Sequence, residues 1–267
     1  MKISLFEAED LDIIQTIQPP DWSNLKKSFK YYLNHLDFCK PIKIILENKI
    51  VGIGTTIIHK DVAWLAQIVV HPDFRNRGIG SLITKTLIEN LKNDSCKTIL
   101  LIATEMGQRM YEKIGFEVVG EYFFLKNNNV DDDGQISKNI IKPDRNQFDE
   151  VLAIDSEISG EDRSNQLSEH YLDSFIYIEN KKVQGCFFPF FGDGLIIAEN
   201  YNAGIELVKL RIKTNKTATL PIENVKTLQF LRENNFIQFR TAKRMSIGAK
   251  LNWHPEKIFN RVSGQIG

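Results

Sequence analysis

Apolar residues divide the first half of the chain into short runs of changing period. Residues 3–6 form a brief apolar run, and AEDLDIIQTI after it has helical spacing. In WSNLKKSFKYYLNHL the apolar positions Leu25, Phe29, Tyr32 and Leu36 recur at every third or fourth residue, which predicts an amphipathic helix. From residue 42 the period changes: IKIIL, ENK and IVGIGTTII predict a hairpin turning near Asn48. A third strand, VAWLAQIVV, runs directly into HPDFRNRGIG. SLITKTLIENLKN predicts a helix with Leu82, Ile83, Leu87, Ile88 and Leu91 facing inward. TILLIAT then predicts an apolar strand, GQRMYEKIGF a short helix ended by Gly115, and EVVGEYFFL a closing strand.

The polar segment NNNVDDDGQ at 127–135 has no apolar periodicity and marks a domain boundary. A long hairpin loop inside one domain is the alternative. Beyond it the order of elements recurs. KNIIK is a strand, DRNQFDEVLAIDSEI a helix, and SFIYIENKKVQGCFFPFF a hairpin turning at Asn180-Lys181. GLIIAEN, AGIELVKLRIK, TATLP, NVKTLQFLRENNF and IQFRTAKRMSIG follow as strand, helix, strand, helix and strand. Setting Phe116 over Phe236 places YEKIGF over LRENNF and TILLI over TATLP, and the two hairpins share ENKIVG against ENKKVQG. The chain therefore reads as α/β, with α+β-type mixed sheets, in two copies of one unit. Residues 1–126 form the first domain, 127–136 a linker, and 137–267 a degenerate second copy with a C-terminal tail.

Composition adds limits to this picture. At 267 residues the chain is long enough for two such units, and 42% hydrophobic content with a mean hydropathy of -0.24 supplies a sizeable core. Lys plus Arg and Asp plus Glu each number 34, so no basic field exists to draw in nucleic acid or an anionic membrane. KLRIKTNK at 209–216 is a small basic run that reads as a solvated helix end. Cys39, Cys96 and Cys186 lie far apart without a CxxC, which argues against a metal or dithiol site and for a reduced, cytoplasmic protein. MKISLFEAEDLDII lacks the apolar core of a signal peptide, and no stretch approaches transmembrane length.

The strongest chemical signal is a strand followed by RNRGIG and a helix. The first backbone N–H groups of a helix lack internal acceptors, and the macrodipole adds positive potential there. A pyrophosphate satisfies both. Gly78 and Gly80 would let the backbone approach phosphate oxygens, with the amides of Asn76, Arg77, Gly78, Ile79, Gly80 and Ser81 as donors. Arg75 and Arg77 could add charge-assisted contacts. Neither GxGxxG nor GxxxxGK[ST] is present. RxxGxG alone is also compatible with a helix-capping turn, but its place after a hairpin and strand, and ahead of a YEKxGF helix, favours the anion site.

IVVHPDFRNRGIGSLI resembles the [RQ]xxGx[GA] segment of the GNAT acyltransferases, and LLIATEMGQRMYEKIGF resembles their next strand and helix. The resemblance covers residues 1–125 in element order and is specific at 68–116. It implies a sheet that splays between strands 62–70 and 98–104, with acetyl-CoA as co-substrate in the gap. It further implies that the backbone of Ile68, Val69 and Val70 pairs with pantetheine and that Asn76 to Ser81 hold the pyrophosphate. The whole chain is similar to a tandem subgroup in which a loop-less copy follows the first domain; ISGEDRS at 158–164 and WHPEKIFNRVSGQIG at 253–267 carry this.

Acyl transfer to an amine needs a neutral amine, an oxyanion stabiliser and a proton donor for the leaving thiolate. Tyr111 falls where many members of the family carry a tyrosine acid; a core tyrosine is the alternative. Many members place a glutamate on the fourth strand, where this chain has Gln67, which cannot take a proton. Glu105, placed at the end of strand 98–104, competes with a reading as a solvated loop residue. His71, before Pro72, reads as structural. Asp162 and Arg163 could orient a polar substrate as a buried pair, or Asp162 could cap a helix. Trp64 could line the acceptor pocket or simply pack. DGLIIAENYNAG in the second half has no RxxGxG, and Leu231 stands where Tyr111 stands in the first copy, so one co-substrate site per chain is expected. The expected function is acetyl-CoA-dependent N-acetylation of a small amine-bearing acceptor by direct attack. A non-catalytic acyl-CoA sensor is the alternative.

Overall fold

The structure is a computed structural model that describes residues 1–20, 22, 24–127 and 135–267. By contacts it forms two compact units, the first comprising Met1–Glu117, Met245–Ala249 and Ile266, the second Val118–Arg244, Lys250–Gln265 and Gly267. Residues 128–134, within the expected linker, lie outside the described residues.

In the first unit β1 (Lys2–Leu5) is followed by a 3₁₀ turn, α1 (Ile14–Ile17) and α2 (Leu25–Asn34). The Asn24 side chain accepts from Lys27 N and so starts α2. The helix ends at Asn34, so Leu36, expected on its apolar face, is exposed beyond it. Then come β2 (Cys39–Leu46), β3 (Lys49–His59), β4 (Val62–Val70), α3 (Ile79–Asn90), β5 (Thr98–Ala103) and α4 (Glu105–Ile114). Left-handed φ values of 50° at Glu47 and 62° at Asn48 make the tight turn between β2 and β3. The strands lie in the order β1-β2-β3-β4-β5, with antiparallel neighbours up to β4 and a parallel β4–β5 pair.

Helix α3 packs on β3 and β4 through Ile79, Ile83 and Leu87, all buried. Each such side chain contributes about 1.5–3 kcal/mol relative to exposure. A Cβ on Gly54 would meet Ile83 Cγ2 at 2.7 Å, so glycine there lets the helix lie close to the sheet.

The second unit begins at Val118, within β6 (Glu117–Lys126), and continues through β7 (Ile140–Ile141), α5 (Phe148–Ser159), α6 (Ser164–His170), β8 (Phe175–Glu179) and β9 (Lys182–Phe188). After these come β10 (Leu195–Ala198), α7 (Tyr201–Ile212), β11 (Thr217–Pro221), α8 (Val225–Glu233), β12 (Ile237–Gly248) and β13 (Ile258–Asn260). Asn180 and Lys181, at φ 52° and 63°, turn β8 into β9. One antiparallel sheet has the order β13-β10-β9-β8-β7, and β6 pairs antiparallel with β11 from Thr217↔Lys126 to Pro221↔Tyr122. α6 and β13 have no counterpart in the periodicity of the sequence.

The first unit thus draws a strand end from the far part of the chain. β6 pairs with β11 in the second unit. The end of β12 belongs to the first, where Ala249 N donates to Lys97 O, Thr98 Oγ1 donates to Ala249 O, and Met245 is buried in the core.

Candidate functional site

The parallel ladder between β4 and β5 covers Val62↔Thr98, Ala63↔Ile99 and Trp64↔Leu100 and ends there, while β4 continues to Val70 and β5 to Ala103. Past Trp64 the two strands part. On its other edge β4 pairs with β3 through Thr55↔Ala66 and Ile53↔Val69, which leaves two residues, Gln67 and Ile68, against the single Gly54. This is a β-bulge. Gln67 has a left-handed φ of 49°, is 6% exposed, and neither atom of its carboxamide has a hydrogen-bond partner. Left-handed backbone on a non-glycine residue costs about 1–3 kcal/mol, and each buried unsatisfied polar group a similar amount. Among the described residues no hydrogen-bond partner offsets these costs at Gln67.

At the end of β4 the chain enters the loop. His71 N donates to Val51 O, and His71 Nδ1 accepts from Asp73 N, so this imidazole is a structural element of the turn. Arg75 Nε donates to Val70 O at 3.3 Å, and the Arg77 guanidinium lies 5.2 Å from the Phe74 ring centroid; both arginines are exposed. Asn76 and Gly78 adopt φ of 62° and 77°. Gly78 is the N-cap of α3, and no side chain caps the helix. The amides of Ile79, Gly80 and Ser81 precede the first intrahelical donor, Leu82 N to Gly78 O. A Cβ built on Gly78 would meet nothing within 4 Å. The helix N-terminus is open, uncapped and flanked by two cations, as a bound diphosphate requires. Gly80 has a second role: its missing Cβ would stand 3.2 Å from Met110 Sδ, so glycine there allows α4 to approach α3.

Tyr111 on α4 joins the splayed strands and the loop helix in one apolar cluster. Ala63, Leu65, Ile79, Ala103 and Tyr111 belong to it, with Ile68, Val70 and Met110 packed against it. Tyr111 is 9% exposed, and burial pushes its phenol up to about 12. Glu105 is not on a strand: β5 ends at Ala103, Thr104 is the N-cap of α4, and Glu105 is the exposed first residue of that helix. There it complements the helix dipole. Trp64 is fully buried within β4.

In the second unit, Asp162 and Arg163 bind different partners. Asp162 is exposed, and its Oδ1 accepts from Ser164 N and Ser164 Oγ. Arg163 is buried and makes a two-pronged ion pair with Asp155 on α5. Burial opposes the Arg163 charge, and the Asp155 carboxylate overrides that and holds the guanidinium firmly protonated. Helix α7, which follows β10 as α3 follows β4, starts differently from α3. The Asn200 side chain accepts from Ala203 N and caps it. A Cβ on Gly204 would fall within 2.1–2.3 Å of three atoms of the Phe259 ring. Asn200 and Phe259 were not among the expected residues; the apolar pair Ile258-Phe259 in the polar tail is the sequence signal for the latter.

Comparison with known proteins bears on the family and the fold. The model of the acetyltransferase (GNAT) family matches residues 11–116. Over 126 residues the chain is 31% identical to the [ribosomal protein bS18]-alanine N-acetyltransferase of Haemophilus influenzae, covering 44% of this chain and 82% of that protein. A solved chain from Pyrococcus horikoshii shares the fold over 100% of this chain and 95% of its own, with a TM-score of 0.83 at 18% identity. A GCN5-related N-acetyltransferase from Kribbella flavida does so over 92% and 70%, with a TM-score of 0.58 at 13% identity. Among the described residues no helix is long and apolar enough to cross a membrane.

Proposed function

The chain belongs to the acetyltransferase (GNAT) family, and from that premise we propose that it transfers the acetyl group of acetyl-CoA to the amine of a small acceptor. It is an acyltransferase with acetyl-CoA as co-substrate. The observation that carries the reading is the uncapped α3 N-terminus at Gly78, placed where β4 leaves its ladder with β5. In this reading the amides from Asn76 to Ser81 hold the pyrophosphate, with Arg75 and Arg77 adding charge, and the backbone of Ile68 to Val70 pairs with pantetheine. In the same reading the repeating domains are 1–126 and 137–267, and the diphosphate loop belongs to the first alone.

The acceptor nitrogen attacks the thioester carbon, the C–N bond forms, and collapse of the tetrahedral intermediate breaks the C–S bond. Tyr111 donates its proton to the departing sulfur; burial helps it to hold that proton at neutral pH. Gln67 has no basic lone pair for the proton that the amine must lose. Its carboxamide oxygen instead accepts an N–H of an amine that arrives already neutral; the proton that the nitrogen loses passes to water, and water returns one to the Tyr111 phenolate. Both unsatisfied carboxamide atoms support this role.

A second acceptor class, a peptide N-terminal amine, is favoured by the 31% identical relative, whose name specifies a ribosomal-protein alanine. Release of free thiol from acetyl-CoA, measured over a panel of small amines and of peptides beginning with alanine, tests both. Turnover with small amines is expected. Turnover confined to peptides would replace the small-molecule reading, and absence of thiol release together with absence of CoA binding would overturn the function.

A further inference from the structure

In the second unit the strands that correspond to β4 and β5 by element order are β10 and β11, and the chain's own tail lies between them. β10 has ladder partners β9 on one edge and β13 on the other, and β11 pairs with β6. β13 runs antiparallel to β10 with Ile196↔Asn260 and Ile197↔Ile258. Other bonds fasten it to β11 and to the residues flanking β10 and α8. Arg261 N donates to Thr219 O at 2.8 Å, and Asn260 Oδ1 accepts from Thr219 N at 2.9 Å. Asn260 Nδ2 donates to Gly194 O at 2.8 Å and Asp193 O at 3.1 Å, and Asn224 Nδ2 donates to Ile258 O at 3.1 Å. Ile258, Phe259 and Asn260 are all buried. Phe259, 2% exposed, presses its ring onto Gly204 in the first turns of α7, whose N-terminus Asn200 has already closed.

We infer that Ile258–Arg261 is an internal peptide ligand of the second unit, filling the cleft that in the first unit receives the pantetheine arm. The correspondence of the two clefts rests on the reading of the first unit given above. The backbone of β13 supplies to β10 the strand-like hydrogen bonds that a pantetheine amide would supply, and Asn260 completes the contact to β11. Where the first unit leaves donors at the helix end exposed, the second satisfies its own. A peptide segment on the same chain has a high effective concentration, so a free ligand does not displace it at ordinary levels. The second unit is thereby a permanently occupied relative of the first, unable to take acyl-CoA.

Two measurements on the full chain test this. Amide hydrogen exchange should show Ile258–Arg261 protected about 10³-fold over an unstructured peptide, and unchanged on adding saturating CoA. Loss of that protection on adding CoA, or its absence beforehand, overturns the inference. CoA titration of the Gly78→Val variant, in which the first site is blocked, should give no binding; a residual equivalent of one CoA per chain overturns it. If the unmodified chain binds no CoA at all, the reading of the first unit falls, and exchange protection at Ile258–Arg261 still decides the status of the tail. Asn260→Ala should lower that protection at least tenfold while leaving CoA stoichiometry at one, and retention of full protection counts against the fastening role given to Asn260.

Discussion

Arg163, the residue before α6, grips Asp155 of α5, eight residues earlier, with Nε 3.0 Å from Oδ2 and Nη2 2.5 Å from Oδ1. Both side chains are buried. Removing one partner leaves a charge without compensation in a low-dielectric place, a cost of about 3–5 kcal/mol. Asp155→Asn should therefore lower the melting temperature by on the order of 10 °C, given a few degrees per kcal/mol for a unit of this size. Asp162→Asn, a change at the exposed acceptor for Ser164, should shift it by no more than about 2 °C. Thermal melts of the two variants side by side check this, and equal effects would refute the assigned pairing.

Gly78 offers a substitution that separates ligand binding from folding. Its Cβ direction is empty, so Gly78→Ala adds only the strain of a left-handed alanine, about 1 kcal/mol. The same methyl group stands where a diphosphate would approach. CoA affinity by calorimetry should fall at least tenfold while the melting temperature drops by only a few degrees. Unchanged affinity would remove the diphosphate from this loop.

Replacing Tyr111 by phenylalanine keeps the ring that packs against Phe116 and deletes the proton donor. The turnover number should fall about 10²-fold, with the CoA dissociation constant altered by less than threefold. The same residue gives a signature in stability. Folding raises the phenol from 10.0 to about 12, so the folded chain keeps a proton that the unfolded chain sheds. That contribution is intact below pH 10 and is lost as pH rises toward 12. Tyr111→Phe should flatten this part of the alkaline stability curve, which denaturant titrations between those limits would reveal.

Gln67 ties the pH dependence of the reaction to the acceptor rather than to the protein. With no carboxylate at the bulge, kcat/KM should rise with the free-base fraction of the amine. Its midpoint should lie near ~8 for an α-amine and near ~10 for an alkyl amine. A common midpoint for amines of different basicity would identify a protein base and refute this role for Gln67.

Local chemistry made much of this legible from sequence. The turns at Asn48 and Asn180 are encoded by residues that tolerate left-handed backbone, and the loop at Arg75–Ser81 by glycines and a following apolar helix. What the sequence could not show are relations set by distant pairing. The adjacent Asp162 and Arg163 suggested a pair, but Asp162 accepts from Ser164 and α5 supplies the partner of Arg163. Glu105 looked like a strand end because TILLIAT stays apolar up to Thr104, yet Thr104 is already the cap of a helix. The strained backbone of Gln67 follows from a register shift between β3 and β4 that no single-strand pattern reports. β13 has only three residues, too few for a period to register.

The exchange of end strands has a bearing on how such a chain can be divided. A break in the gene at the polar segment would separate Tyr122–Lys126 from Thr217–Pro221 and deprive Lys97 and Thr98 of Ala249. Each fragment would lack a strand that the other carries and would expose an unpaired sheet edge, a liability for aggregation. Inheritance of the amino-terminal half therefore obliges inheritance of the residues that complete its sheet.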